Sequence, residues 1–422
     1  MVTSSQSQGE LVVDQKLNNC RHIMLFDLDT TGHHPTYIQH FVKYYCNQEI
    51  SGKLDIVVSP KFIEEHSDIV NMIQKSHRQN VNFIPITLEE YSSFINKSSL
   101  LKRIFCEWNI YCKYAKNLNA DHCLLMYLDK FQLPIALRGK SPCSFSGIYF
   151  RPTFHYQDFE GYVPSWKESL RQWRQKLLLS RVLQNSQFKI LFCLDPFVIK
   201  YIQKLNSKVK TIHLPDPVEI YDTDKYQVEQ LKRILEIQEN RQVFLLFGSL
   251  ARRKGIYQLL EAIKLLPSEV CEQLCLLLVG SIIPSEKLPL ESLIKEISQS
   301  LPVQIIIRDE FVPEPEVHLY FQMTDVVLAT YQRHVGMSGI LLLAAAAQKP
   351  VLASDYGLLG YLVRHHQLGI TVDSTFPGEI SQGIAQLIYR NGQDCCDLGN
   401  IDNFSRQHCA VKFSSTLITH LL

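Results

Sequence analysis

Val243-Phe244-Leu245-Leu246-Phe247-Gly248-Ser249-Leu250-Ala251-Arg252-Arg253-Lys254-Gly255 is the stretch that decides the fold. Its first five residues are an unbroken apolar run, the signature of a strand buried on both faces. Gly248 and Gly255 bound a tight basic turn. Ile256, Leu259, Leu260, Ile263 and Leu266 then repeat at helical spacing. Strand, turn and helix start together offer an anion backbone N–H groups, a positive dipole end and cationic side chains. About eighty residues on, the design recurs. Asp325-Val326-Val327-Leu328-Ala329 is followed by His334-Val335-Gly336-Met337-Ser338-Gly339 and a second helix. Two such helix starts in one domain imply a ligand with more than one phosphate.

Working outward, short apolar runs recur along all 422 residues, too many for one core, so two or three domains are expected. The first half reads as strands at His22–Asp27, Leu54–Val58, Val81–Ile86, Cys123–Tyr127, Gly147–Phe150, Lys189–Phe192 and Lys210–His213. The second half reads as Val243–Phe247, Leu274–Val279, Val303–Ile307, Val326–Leu328, Val351–Ala353 and Ile370–Val372. Helical patterns separate most of them, so each half is an α/β doubly wound parallel sheet. Pro215 and Pro217 break the chain between the halves. A linking helix is expected over Lys225–Gln238 and a last helix over Asn403–Leu422. Residues 1–20 are polar and rich in Ser and Gln, without an apolar signal core, and read as a disordered tail.

A net charge of +1 argues against a dedicated nucleic-acid binder. The 12 cysteines are scattered without a CxxC pair, which points to reduced cytosolic thiols. No apolar run reaches the ~18 residues that a membrane span requires.

"FGSLARRKGIYQLLEAIKLL" (247–266), "LLLVG" (276–280), "TDVVLATYQRHVGMSGILLLAAAAQKPVLASDYGLLG" (324–360) and "LGITVD" (368–373) resemble the donor-binding domain of group-1 (family 4) glycosyltransferases of the GT-B fold. Order and spacing match over roughly 150 residues, while the first half resembles the family only in outline. The resemblance implies two Rossmann-like domains facing across a cleft. Residues 21–215 would form the acceptor side and 216–402 the nucleotide-sugar side. Residues 403–422 would form a helix returning to the first domain.

The resemblance makes Lys254 the lysine that grips the donor phosphates. A lysine at a helix start opposes the dipole, which makes sense if an anion lies between them. Ser249 stands where the family often has arginine, and Arg252 or Arg253 would substitute from another backbone position. For these three cations, a solvated basic turn is the competing reading. Gly336, Met337, Ser338 and Gly339 would let a phosphate or sugar approach closely, or Ser338 would simply cap the helix. The family's two glutamates, eight positions apart, would fall on Leu343 and on His334 or Val335. Neither carboxylate is present, so donor identity and catalysis are both open, with His334 and Arg333 as replacement polar contacts. Gly32, in the loop Asp29–Pro35, matches the family's N-terminal glycine. Neighbouring His33 and His34 could bind phosphate or hydroxyls. His155 matches a histidine that faces the reaction centre, with a structural role as the competing reading and Arg151 as another anion ligand. The nucleobase would sit against Ile307–Val312. No cofactor and no metal are expected.

Ser165–Gln184 reads as a helix with Trp166, Leu170, Trp173, Leu177 and Leu178 near one face. Lys167, Arg171, Arg174, Lys176 and Arg181 decorate the rest, against the single acid Glu168. Packing of the tryptophan face on the sheet is the expectation. Contact with an anionic membrane is the second reading. The expected function is sugar transfer, with retention, from a nucleotide-sugar donor to a glycan or lipid-linked acceptor. It would take place in the cytoplasm, or at the inner face of a membrane through residues 165–184. The alternative is a non-catalytic GT-B protein binding a sugar, nucleotide or partner enzyme. A phosphorylase or epimerase on the same fold is more remote.

Overall fold

Each of the apolar runs read above is a strand. The computed structural model describes residues 21–422 except 77, 138, 160, 161, 206, 207, 222, 223 and 391. The expected tail, residues 1–20, lies outside the described residues. The first sheet contains β1 (His22–Phe26), β2 (Lys53–Val58), β3 (Val81–Pro85), β4 (His122–Leu125), β5 (Ser144–Tyr149), β6 (Phe188–Cys193) and β7 (Lys210–His213). The second contains β8 (Gln242–Phe247), β9 (Leu274–Val279), β10 (Gln304–Arg308), β11 (Val326–Ala329), β12 (Val351–Ser354) and β13 (Gly369–Val372).

The orders are β3-β2-β1-β4-β5-β6-β7 and β10-β9-β8-β11-β12-β13, with every pair parallel. Parallel strands need crossover helices on both faces, which explains apolar runs without alternation. All six residues of β9 are buried. Strand order reverses beside β1 and beside β8. A doubly wound sheet binds its ligand at such switch points, outside the carboxyl ends of the strands.

Three expectations are corrected. The linking helix ends at Ile234, because Glu236 takes a left-handed φ of 53°. The single last helix is two, Leu398–Gln407 and Ala410–Leu421. Extended Cys409 separates them and lets the chain pair with Val218. Val218 donates its N–H to the His408 carbonyl at 2.7 Å, and Ala410 donates to the Val218 carbonyl at 3.1 Å. The earlier helix buries Ile401 and Phe404 in the second domain. The later one buries Phe413, Leu417 and Leu421 in the first.

The third correction concerns Trp166–Val182, whose tryptophan face points outward. Trp166 is 71% exposed and Trp173 62%, while Gln172, Leu179 and Val182 face inward. Glutamines settle the choice. Gln172 donates to the Tyr162 hydroxyl at 2.8 Å. Gln175 accepts from the Thr153 N–H at 2.8 Å and donates to the Arg151 carbonyl at 2.6 Å. These bonds satisfy backbone groups of the partly buried loop after β5, which an apolar face could not do.

Candidate functional site

A cavity of about 860 Å³ opens between the carboxyl ends of the two sheets. Its first-domain wall begins where β1 ends. Gly32 turns the chain with φ 68° in open space, and the next residue, His33, reaches the cavity. His33 stacks on Phe150 at 4.5 Å. Burial, then the neighbouring His34 charge, pushes His33 down to about 4, so it is a neutral imidazole at physiological pH. His34 turns away, its Nδ1 2.6 Å from Asp27 Oδ2 and its Nε2 3.4 Å from Asp29. Burial works against its charge, but Asp27 and Asp29 outweigh that and raise its pKa.

Asp27, Asp29 and His34 bring three ligand atoms within 4.8 Å of one another, the geometry a metal could use. Lys130 already sits on Asp29 and lies 3.8 Å from Glu107. This cluster therefore supplies its own cations. It braces the loop that carries His33.

His155 does not reach the cavity. It is 1% exposed, with Nε2 2.8 Å from Asp195 Oδ2. Asp195 follows β6, accepts the Phe197 N–H at 2.9 Å and lines the cavity itself. Arg151 lines the same wall, as does Arg171 from the helix Trp166–Val182. Asp216, between the two prolines, accepts a hydrogen bond from Tyr37. Burial raises its pKa to about 6, with the Tyr37 bond pulling the other way.

The second-domain wall starts at Phe247, the last residue of β8. Ser249, Arg252 and Arg253 are exposed in the turn and none of them lines the cavity. Arg252 pairs with Glu286 at 2.9 Å and lies over the Tyr257 ring. Lys254 does not line the cavity either. It is no solvated helix-start lysine but is 5% exposed. It closes a 3₁₀ turn before the helix Ile256–Ile263, and Gly255 enters that helix with φ 75°. A Cβ on Gly255 would collide with the Thr330 carbonyl, so the turn folds tightly and draws Lys254 inward. Its ammonium donates to the Phe247 carbonyl and lies 5.3 Å from the Tyr331 ring centre. Burial, then Arg253, lowers its pKa to about 8.

Tyr331 joins the two anion-ready loops. Ser338 donates to its hydroxyl at 2.9 Å and accepts the Ile340 N–H, capping the helix Gly339–Ala346. Ser338 thus takes the capping role and stays off the cavity surface. His334, Gly336, Met337 and Gly339 do line it. His334 Nε2 donates to the Met337 carbonyl at 3.2 Å, and its burial lowers its pKa. Leu343 and Val335 also line the cavity, so no carboxylate stands at either place of the resembled family's glutamates, whether the first falls on His334 or on Val335. None of residues 307–312 lines it; Phe311 projects into solvent. Tyr221 and His318, stacked at 4.4 Å, do line it.

Sequence reasoning missed Asp195, Asp216, Tyr37 and Tyr331. The signal for Asp195 was its place two residues after the end of a parallel strand.

Residues 227–399 match the family model for glycosyl transferases group 1. No curated protein matches the chain. Among solved structures, the N-terminal domain of Candida albicans trehalose-6-phosphate phosphatase is 13% identical, with TM-score 0.66, covering 99% of this chain and 98% of that one. A glycosyltransferase from Rickettsia africae ESF-5 is 14% identical, with TM-score 0.65, covering 96% and 98%. Anabaena HepE in complex with UDP is 14% identical, with TM-score 0.62, covering 95% and 99%. The two facing sheets are therefore the GT-B fold, and residues 227–399 are similar to glycosyl transferases group 1, in agreement with the group-1 resemblance read from residues 247–373.

Proposed function

We propose that this GT-B chain, whose residues 227–399 match group 1 glycosyl transferases, moves a sugar from a nucleotide-sugar donor to a hydroxyl of a glycan or lipid-linked acceptor. The transfer would retain anomeric configuration and need no metal. The carrying observation is that one cavity of about 860 Å³ is bounded by His33 and Arg151 of one domain and by His334 and Gly336 of the other. Its volume falls in the range of small-molecule sites. Solved HepE complexes hold UDP, and UDP with glucose, which makes uridine donors the first to test.

In this reading the second domain holds the donor. The Gly339 helix start faces the diphosphate, and Arg151 and Arg171 oppose it across the cleft. A phosphate is a stronger partner for the Lys254 ammonium than the neutral Phe247 carbonyl. Charge building on the departing diphosphate would draw Lys254 toward it, and such stabilisation carries much of the rate in transfer reactions. Asp195, backed by His155, is the cavity carboxylate that this reading assigns to the acceptor or the donor sugar, in preference to Asp216 and Glu219 on the same lining.

A second reading has its own observation. Leu343 presents an apolar wall, and His334 or Val335 offers no carboxylate, where the resembled family has two glutamates, which favours binding without transfer. A thermal-shift panel of nucleoside diphosphates and nucleotide sugars, paired with an assay for released diphosphate, separates the two. Stabilisation with turnover supports transfer. Stabilisation without turnover across glycan and lipid acceptors supports binding alone. No stabilisation by any nucleotide overturns both.

A further inference from the structure

The helix Trp166–Val182 has two apolar faces, and only one is used by the fold. At ~100° per residue, Trp166, Leu170, Trp173 and Leu177 lie within an arc of about 60°. All four are exposed, and Val163, just before the helix, is 82% exposed. The inward side, Gln172, Leu179 and Val182, is on the opposite face. Lys167, Arg174, Lys176 and Arg181 flank the stripe, all exposed. The one acid, Glu168, is committed to the helix start, where it accepts the Ser165 N–H at 2.7 Å.

We propose that this stripe seats the protein on an anionic lipid surface. Tryptophan and leucine side chains enter the boundary between headgroups and acyl chains, and the flanking lysines and arginines meet lipid phosphates. Charge selects this occupant. A second copy docked through the same stripe would set like-charged rims against each other. The inward side of the same helix contributes Glu168, Arg171 and Gln172 to the cavity. The cavity therefore lies about one helix diameter, ~10 Å, from the lipid surface. A lipid-linked acceptor could reach it without leaving the bilayer. That last consequence rests on the proposed transferase reading, whereas the docking itself does not.

Tryptophan fluorescence of the full chain with vesicles tests the docking independently of activity. The chain has three tryptophans, and the third, Trp108, is 5% exposed, so changes report the stripe. Vesicles of phosphatidylcholine with phosphatidylglycerol should shift emission to the blue, and brominated lipids should quench it. Phosphatidylcholine alone should do neither. Co-sedimentation should fall on the order of a hundredfold in the triple variant Lys167→Gln/Arg174→Gln/Lys176→Gln, as expected from the pull of each basic residue near an anionic surface. Trp166→Ala/Trp173→Ala should also abolish it, with an unchanged melting temperature showing that the fold survives. Equal binding to neutral vesicles, no binding to either, or self-association without lipid that the tryptophan variant removes would each overturn the proposal.

Discussion

The Lys254 ammonium donates to the carbonyl of Phe247, seven residues earlier, and lies 5.3 Å from the Tyr331 ring centre. It is thus tied to the β8 end and to the residue that Ser338 holds from the other loop. Gly248 makes room for it: a Cβ there would stand 2.8 Å from the Lys254 nitrogen. Burying this cation lowers its pKa and weakens the fold while it stays charged. Lys254→Met keeps the apolar stem and removes the charge. It should stabilise the protein at pH 7 by up to roughly 3 kcal/mol. Nucleotide-sugar turnover should fall on the order of a hundredfold, as when one transition-state donor is removed. Denaturant melts and initial rates check the two effects together. Unchanged turnover would end the phosphate role.

The same lysine sets a pH dependence. Burial, then Arg253, lowers its pKa to about 8 from an ordinary 10.5. Between those values the unfolded chain holds a proton that the folded chain has lost, so this group's contribution makes stability rise with pH across the window. Below about pH 8 its destabilising effect is fully present. A bound diphosphate favours the ammonium, so affinity for a nucleoside diphosphate should weaken as pH rises above about 8. Calorimetry near that pH, in two buffers of different ionisation enthalpy, should register proton uptake on binding. Lys254→Met should register none from this group.

The strands were legible because a parallel sheet buried on both faces demands unbroken apolar runs such as Leu274–Val279. The two helix starts were legible because glycine and basic residues punctuate those runs. The burial of Lys254 was not, since it depends on a left-handed Gly255 and on Tyr331, 77 residues away. The outward turn of Trp166 was hidden for a different reason. A helix whose apolar residues fall on two faces does not say which face the sheet takes. Glutamine bonds to Tyr162, Thr153 and Arg151 decide it, and those partners are set by tertiary structure. Asp216 was read only as part of a breaker, because prolines dominate Pro215-Asp216-Pro217.

His155 is expected to act through Asp195. Its Nε2 holds the carboxylate at 2.8 Å, while the ring itself does not line the cavity. Asp195→Asn keeps an acceptor for the Phe197 N–H and removes the charge. Turnover should drop on the order of tenfold or more with little change in melting temperature. His155→Ala should cost roughly 1–3 kcal/mol by leaving a buried carboxylate short of a partner. Equal kcat and KM in both variants and wild type would make the pair purely structural.

The helix Ala410–Leu421 should be indispensable to the first domain. Phe413, Leu417 and Leu421 complete a core that includes Ile23, Leu25 and Phe41. Ser414 donates to the His40 carbonyl at 3.0 Å beneath them. Phe413→Ala should cost about 3–5 kcal/mol. Residues 21–215 produced alone should aggregate, because that apolar surface is then uncovered. A monomer with a sharp melting transition would contradict this packing.

Leu343 bears on how the donor nucleotide is recognised. It lines the cavity where the resembled family places a glutamate beside the nucleotide ribose. A leucine accepts no hydrogen bond, so the ribose hydroxyls lose the partner that would distinguish them from hydrogen. Ribose and deoxyribose forms of the bound nucleoside diphosphate should therefore differ by no more than about tenfold in affinity, roughly 1.4 kcal/mol. Competition titrations with the two diphosphates measure this directly. Leu343→Glu offers the complementary arm. A carboxylate on the half-buried wall should widen the preference for ribose, since charged hydrogen bonds are the strong ones. A wild-type preference well beyond tenfold would mean that another cavity residue, such as Tyr221 or His318, has taken over ribose recognition. The place of Leu343 would then say nothing about the donor.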